Sequence, residues 1–308
     1  DSCQRCVYPF SKSDSFPVRG VAVTQRGFRS LFLYVSVDCV MFSVVIPAYN
    51  CAKTIVPAIE SVLKQTRIDL IEEILVTNDG STDDTEAVLQ RFLKQSHAVP
   101  IRFFSQTNHG VSATRNFGIR RAVAPWIALL DADDMWRPEK IERQYEAILS
   151  EPKIKLLGTK YPLKILLRKK TGLVKISTVD MCLRSIFIPT SVVFDKECAL
   201  KLKLFNESMQ YSEDLNFFLK FLTLEGCYVL AEDLVRNDCW KAFSGETGLS
   251  SHLKEMNKGR NDSLKEICSM GLISVPFLRF LLVFNEMKYW RKNAFAFLVG
   301  CSNQGNVL

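Results

Sequence analysis

A large charge of one sign, a long unbroken apolar run and a second cysteine pair at zinc-ligand spacing are all missing from these 308 residues. The formal net charge of +7 is mild for the length, which argues against a nucleic-acid partner but leaves room for a local basic surface. No stretch reaches the roughly 18 uninterrupted apolar residues of a spanning helix. Cys3 and Cys6 form the one CxxC among ten cysteines, so a metal knuckle is not expected. Cys182, Cys198 and Cys227 stand in apolar surroundings, where a free Cys acts as a small buried residue; this usage fits a reducing cytoplasm.

Acids are missing locally as well. Between Glu151 and Asp180 there is none, while Lys153, Lys155, Lys160, Lys164, Arg168, Lys169, Lys170 and Lys175 are interleaved with apolar residues. The plain reading is a solvated hairpin that guards a sheet edge. The sharper one is a face for anionic lipid or a pyrophosphate-bearing acceptor. Residues 1–40 have neither clear periodicity nor signal-peptide structure, and Met41 directly precedes FSVVIPAYN, so they read as an extension outside the fold.

From there the chain, 47% hydrophobic, alternates between two periods. Val44–Ala48, Glu73–Thr77, Ile101–Phe104 and Trp126–Leu130 read as buried strands. Between them come apolar stripes of helical spacing: Ile55, Ile59, Val62 and Leu63; then Val88, Leu89, Phe92 and Leu93; then the segment Val111–Ala122. Strand, helix, strand at this rhythm predicts a doubly wound, mixed but mostly parallel sheet with helices on both faces. Residues 41–150 form its first half, 151–250 a second half with an acidic helix near Ser212–Leu224, and 251–308 a helical tail. Within the tail, Phe277, Phe280, Phe284, Trp290 and Phe295 are mixed with bases, which fits an interfacial helix on an anionic membrane or a core helix on the second half.

In open sheets the ligand gathers at the carboxyl ends of strands. Tyr49 and Asn50 follow the first strand, Asn78, Asp79 and Gly80 the second, and Asp131, Asp133 and Asp134 the fourth. In an extended segment Asp131 and Asp133 point to one side and repel, so a cation is expected between them. Three strand ends so equipped are hard to assign to folding. A carboxylate capping the helix that Pro138 opens would explain Asp134 alone.

SVVIPAYN, NDGSTDDT, GVSATRNFGI, LLDADDMW with PEKIERQ, and later IPTSVVF and LFNESMQYSEDLNFFLKF resemble, in order, the family 2 glycosyltransferases of GT-A fold, of the bacterial surface-polysaccharide type. The resemblance covers about residues 41–240 and implies a C-terminal acceptor-side extension. It makes Asp131 to Asp133 the DxD element, with Asp133 the direct ligand of Mg2+ or Mn2+ and Asp131 a metal or donor contact. Chemistry agrees, because a leaving diphosphate needs neutralisation and hard cations take carboxylate oxygens. It further implies donor contacts from Pro47, Tyr49 and Asp79, with Arg115 facing the nucleotide and steadying Asp79 or the phosphates. On the acceptor side it implies Glu213 and Trp136, with Asp214 as the base.

The implied activity is inverting transfer from a nucleotide-diphosphate sugar, UDP-linked in most of the family, to a hydroxyl of a saccharide acceptor. That acceptor is expected to be a lipid-linked oligosaccharide, met peripherally at the inner face of the plasma membrane. Two alternatives stand beside it: transfer onto a polyprenyl phosphate, and a nucleotide-sugar binding protein without turnover. One departure is visible. Where the family has a Tyr-Arg and a Ser-ending loop over the donor, this chain has LVRNDCWKAFSGETGLSSHL, leaving Arg236, Trp240, Lys241 and His252 as stand-ins.

Overall fold

The computed structural model describes residues 40–160, 171–236 and 252–303, with side chains as far as Arg291. The expected extension, the middle of the basic run (161–170), and Trp240 and Lys241 fall outside the described residues.

The alternating half folds as β1 (Phe42–Ala48), α1 (Ile55–Leu63), β2 (Ile71–Asp79), α2 (Thr85–Phe92), β3 (Ile101–Gln106), α3 (Val111–Arg121) and β4 (Trp126–Leu129). Pro57 is the third residue of α1, in the first turn, where its missing N–H leaves no helical bond unmade. Less regular segments follow: β5 (Met135–Trp136), α4 (Lys140–Ser150), β6 (Leu156–Lys160), β7 (Leu173–Lys175), α5 (Thr178–Leu183), β8 (Val193–Asp195), α6 (Lys196–Lys201), α7 (Glu213–Lys220), β9 (Cys227–Asp233), β10 (Val235–Arg236), α8 (Leu253–Ser269) and α9 (Val275–Asn303).

Eight strands form one sheet in the order β3-β2-β1-β4-β8-β6-β9-β7, and β5 pairs separately with β10. β3, β2, β1 and β4 run parallel, and β8 enters antiparallel to both β4 and β6. The chain steps from β1 outward to β3, then returns to the far side of β1 as β4. This reversal opens a crevice at the carboxyl ends of β1 and β4.

Side chains alternate across the pleat. Val44 and Ile46 join the core under α1 and α2, while Val45, Leu75, Ile127 and Leu129 join the one that also takes Phe194, Phe217 and Leu219. α3 lies so close to β1 that a Cβ at Gly118 would stand 2.6 Å from Val45 Cγ1. A side chain at this position would push the helix off the sheet.

The C-terminal helices are not a detached tail. Leu264, Ile267, Ile273 and Leu281 are buried in the second core. One side of α9 nevertheless stays apolar in solvent, with Phe280, Val283, Met287 and Trp290 exposed. Among the described residues no helix is long and apolar enough to cross a membrane. Cys182 and Cys227 are free and buried, and burial pushes their thiols up to about 11 and about 12 respectively.

Candidate active site

The loops after β1 and β2 are laced together. The backbone N–H of Asn50 donates to Ser81 Oγ (2.9 Å), and Asn50 Oδ1 accepts from the backbone N–H of Thr82 (2.8 Å). The polar side chain lets Asn50 hold a left-handed φ of 48°. Tyr49 is 52% exposed at the rim, and Pro47 is half-buried.

Asp79, buried, is held by the turn that follows β3. Its Oδ1 accepts from Gln106 Nε2 (2.8 Å) and the His109 N–H (2.9 Å), and its Oδ2 from the Gly110 N–H (2.9 Å). The expected Arg115–Asp79 contact is therefore replaced by these donors, because α3 carries Arg115 toward β4 instead. His109 contributes through its backbone N–H.

Arg115 is the bridge of the site. It donates from Nη2 to Asp131 Oδ1 at 2.8 Å and from Nη1 to Glu213 Oε1 at 3.0 Å, and its guanidinium lies 5.3 Å from the centre of the Phe205 ring. It is 4% exposed. Burial opposes its charge, but Asp131 and Glu213 outweigh it and hold the guanidinium above its usual range. Burial raises the Glu213 carboxyl, the adjacent Asp214 adds to that, and Arg115 offsets part of it.

Beneath the aspartate loop lies a layer of support. Thr190 Oγ1 accepts from the Asp131 N–H (3.2 Å) and donates to Asp134 Oδ2 (2.6 Å). Asp134 thus anchors the loop to the Pro189–Ser191 turn and does not cap α4, which starts later, at Lys140. Trp136 is 3% exposed, with Nε1 donating to Thr190 O at 2.9 Å. It lies beneath the aspartate loop, where β5 turns its indole into the core. Lys140 Nζ sits 4.1 Å from the Trp136 ring centre and donates to Gln144 Oε1 at 2.8 Å.

Comparison with known proteins fits this geometry. The profile of glycosyl transferase family 2 matches residues 43–193. Residues 43–193 form a family 2 glycosyltransferase domain. An uncharacterized glycosyltransferase of Rickettsia typhi, RT0329, is 27% identical over 83% of this chain and 81% of its own length. Chondroitin synthase of Escherichia coli is 42% identical over 102 residues, which are 33% of this chain and 14% of that protein. S. aureus TarS, solved with UDP-GlcNAc, is similar in fold at TM-score 0.64 and 18% identity, over 83% of this chain and 75% of that one. The mannosyltransferase PcManGT of Pyrobaculum calidifontis, solved with GDP-Man and Mn2+, reaches 0.59 at 17% identity, over 87% and 76%. The architecture is GT-A.

In this glycosyltransferase, no group of three His, Cys, Asp or Glu side chains suited to a metal occurs among the described residues. Asp131 and Asp133 nonetheless fit a hard divalent ion, since Mg2+ commonly takes one or two carboxylates and completes its shell with phosphate oxygens and water. Asp214, the expected base, begins α7 beside Glu213 and lines a cavity under α8 and α9. Of the four residues considered for closure over the donor, Arg236 is exposed in β10, and His252 is exposed with its ring 5.4 Å from that of Tyr211. Thr190 and Gln106 were not singled out by sequence. IPTSVVF located the Thr190 turn but not its hydroxyl's partners.

Proposed function

We propose that the chain is an inverting, divalent-metal-dependent glycosyltransferase. It moves a sugar from a nucleotide diphosphate, UDP in the first instance, to a hydroxyl of a lipid-linked saccharide in surface-polysaccharide assembly. The observation that carries this reading is the Arg115 bridge. One buried guanidinium ties Asp131, at the donor end of β4, to Glu213, at the start of α7, so Asp214 is held next to the donor crevice. TarS and PcManGT, similar in fold, were solved with UDP-GlcNAc and with GDP-Man and Mn2+.

In this reading residues 41–150 bind the donor, with the Tyr49 ring along the base and Asp79 accepting from base or ribose through its remaining lone pairs. Residues 151–250 face the acceptor. Asp214 takes the proton of the attacking hydroxyl late in the transition state. Glu213, spent on Arg115, positions that helix start. Asp131 and Asp133 would hold the divalent ion, which when bound neutralises the charge of the departing diphosphate. Asp214→Asn is expected to lower transfer roughly a hundred- to ten-thousandfold with donor affinity retained. Equal loss of donor affinity, measured by UDP titration, would move Asp214 to the donor site.

The exposed apolar side of α9 supports work at the inner face of the plasma membrane, where a lipid-linked acceptor keeps its tail. Co-sedimentation with phosphatidylglycerol vesicles is expected to weaken but persist at high salt, because apolar burial is not screened. A protein that stays in the supernatant at low salt would end that part of the reading.

A further inference from the structure

A cavity of about 380 Å³ opens between the start of α7, the 185–188 loop, α8 and α9. Its lining has one carboxylate, Asp214, and three cations, Arg260, Lys288 and Arg291. The walls are locked to the catalytic helix. A Cβ at Gly259 of α8 would stand 2.3 Å from Tyr211 O, so α8 approaches the Tyr211–Ser212 turn as closely as backbone allows. Ser212 Oγ donates to Met256 O (2.9 Å), and Asn216 Nδ2 donates to Glu266 Oε2 (2.6 Å).

Two polar atoms in this wall are buried without a hydrogen bond. Arg260 donates from Nη2 to Ser185 Oγ, but its Nη1 meets no acceptor. Asn285, 2% exposed, donates from Nδ2 to Asn261 Oδ1 (2.9 Å), and its own Oδ1 meets no donor. Leaving such groups unsatisfied is costly, and a guanidinium more so than a neutral amide. A bound group with anionic oxygens and a neighbouring hydroxyl would satisfy both.

We propose that this cavity is the acceptor subsite and that it selects acceptors carrying a phosphate beside the attacking hydroxyl. The phosphate lies on Arg260 and Arg291, and a sugar hydroxyl donates to Asn285. Guanidinium groups suit this task because their forked N–H groups match phosphate oxygens. The proposal rests on the reading of Asp214 as the base. The phosphate can come from a soluble sugar phosphate or from a lipid-linked phosphodiester.

The test is calorimetric titration of the full chain, its donor site filled with UDP and Mn2+, against glucose, glucose 1-phosphate and a decyl phosphodiester of glucose. Glucose 1-phosphate is expected to bind at least about tenfold more tightly than glucose, and Arg291→Gln and Arg260→Gln to weaken it about tenfold each. Asp214→Asn is expected to tighten it by removing a like charge. Arg291 is exposed, so its variant serves if Arg260→Gln fails to fold. Tighter binding of the decyl ester than of glucose 1-phosphate identifies the lipid-linked source; equal binding identifies the soluble one. Equal affinity for glucose and glucose 1-phosphate, or unchanged binding in Arg291→Gln, overturns the subsite. Transfer to an uncharged acceptor that persists alongside that result leaves the glycosyltransfer reading standing. Phosphate binding without any transfer would leave a phosphate site standing, remove the reading of Asp214 as the base, and with it overturn the acceptor role of the cavity.

Discussion

The side of the site proposed to bind the donor and the side proposed to face the acceptor are held by different kinds of contact. Around Asp79 and Asn50 the grip comes largely from backbone N–H groups of neighbouring strand-end loops. Around Asp214 it comes from side chains far apart in sequence: Arg115 with Glu213, Asn216 with Glu266, Ser212 with Met256 O. The family profile ends at residue 193, before α7, α8 and α9. A donor pocket made by strand ends follows from the topology and tolerates many sequences. An acceptor wall made by a few long-range pairs is free to change with them, which is how one fold serves many acceptors.

The sharpest way to break the comparison is at the donor side's one element that backbone cannot replace. Asp133→Ala is expected to lower turnover at least about thousandfold and to abolish metal-dependent UDP binding, while the melting temperature stays level or rises. Removing one of two neighbouring like charges relieves the apo loop. Full activity in the presence of EDTA would exclude the metal role.

A smaller effect is expected where the two sides join. Arg115→Gln leaves Asp131 and Glu213 without their cation, and Glu213 is buried, so a loss of about 3 kcal/mol is expected by urea unfolding. Arg115→Lys, which keeps the charge but not the fork, should recover part of it. A neutral outcome for both would mean the halves are held by their cores alone.

The same bridge marks how far the sequence could be read. The strands and helices of residues 42–129 were legible because buried β-branched runs and helical stripes announce themselves locally, and Asp131 and Asp133 stood out because two carboxylates on one side of a strand end repel each other. Arg115 was legible as a site residue but not in its partner, since Glu213 lies 98 positions away and no local period links them. The burial of Trp136 was hidden for the same reason. That β5 pairs with β10, turning its indole under Thr190, is a tertiary fact.

Lys140 gives the finest test, because in PEKIERQ it looks like a solvated helix charge and in the fold it is fully buried. Burial holds its amine well below the ordinary lysine pKa. In the unfolded chain the same amine keeps its proton up to about pH 10.4. Between the lowered folded value and that pH the unfolded state binds more protons, so Lys140 makes stability rise with pH. Below the folded value both states are protonated and the penalty is full and constant; above about pH 10.4 it has gone. Lys140→Met removes the titration but keeps the chain over Trp136, so the variant should be about 1 kcal/mol more stable at pH 7, with its advantage shrinking by pH 10. Paired urea titrations at the two pH values measure the difference, in which all other titrating groups cancel. An advantage that is constant with pH would show that the amine keeps its proton in the fold, with the Trp136 face and Gln144 sufficient to hold the charge.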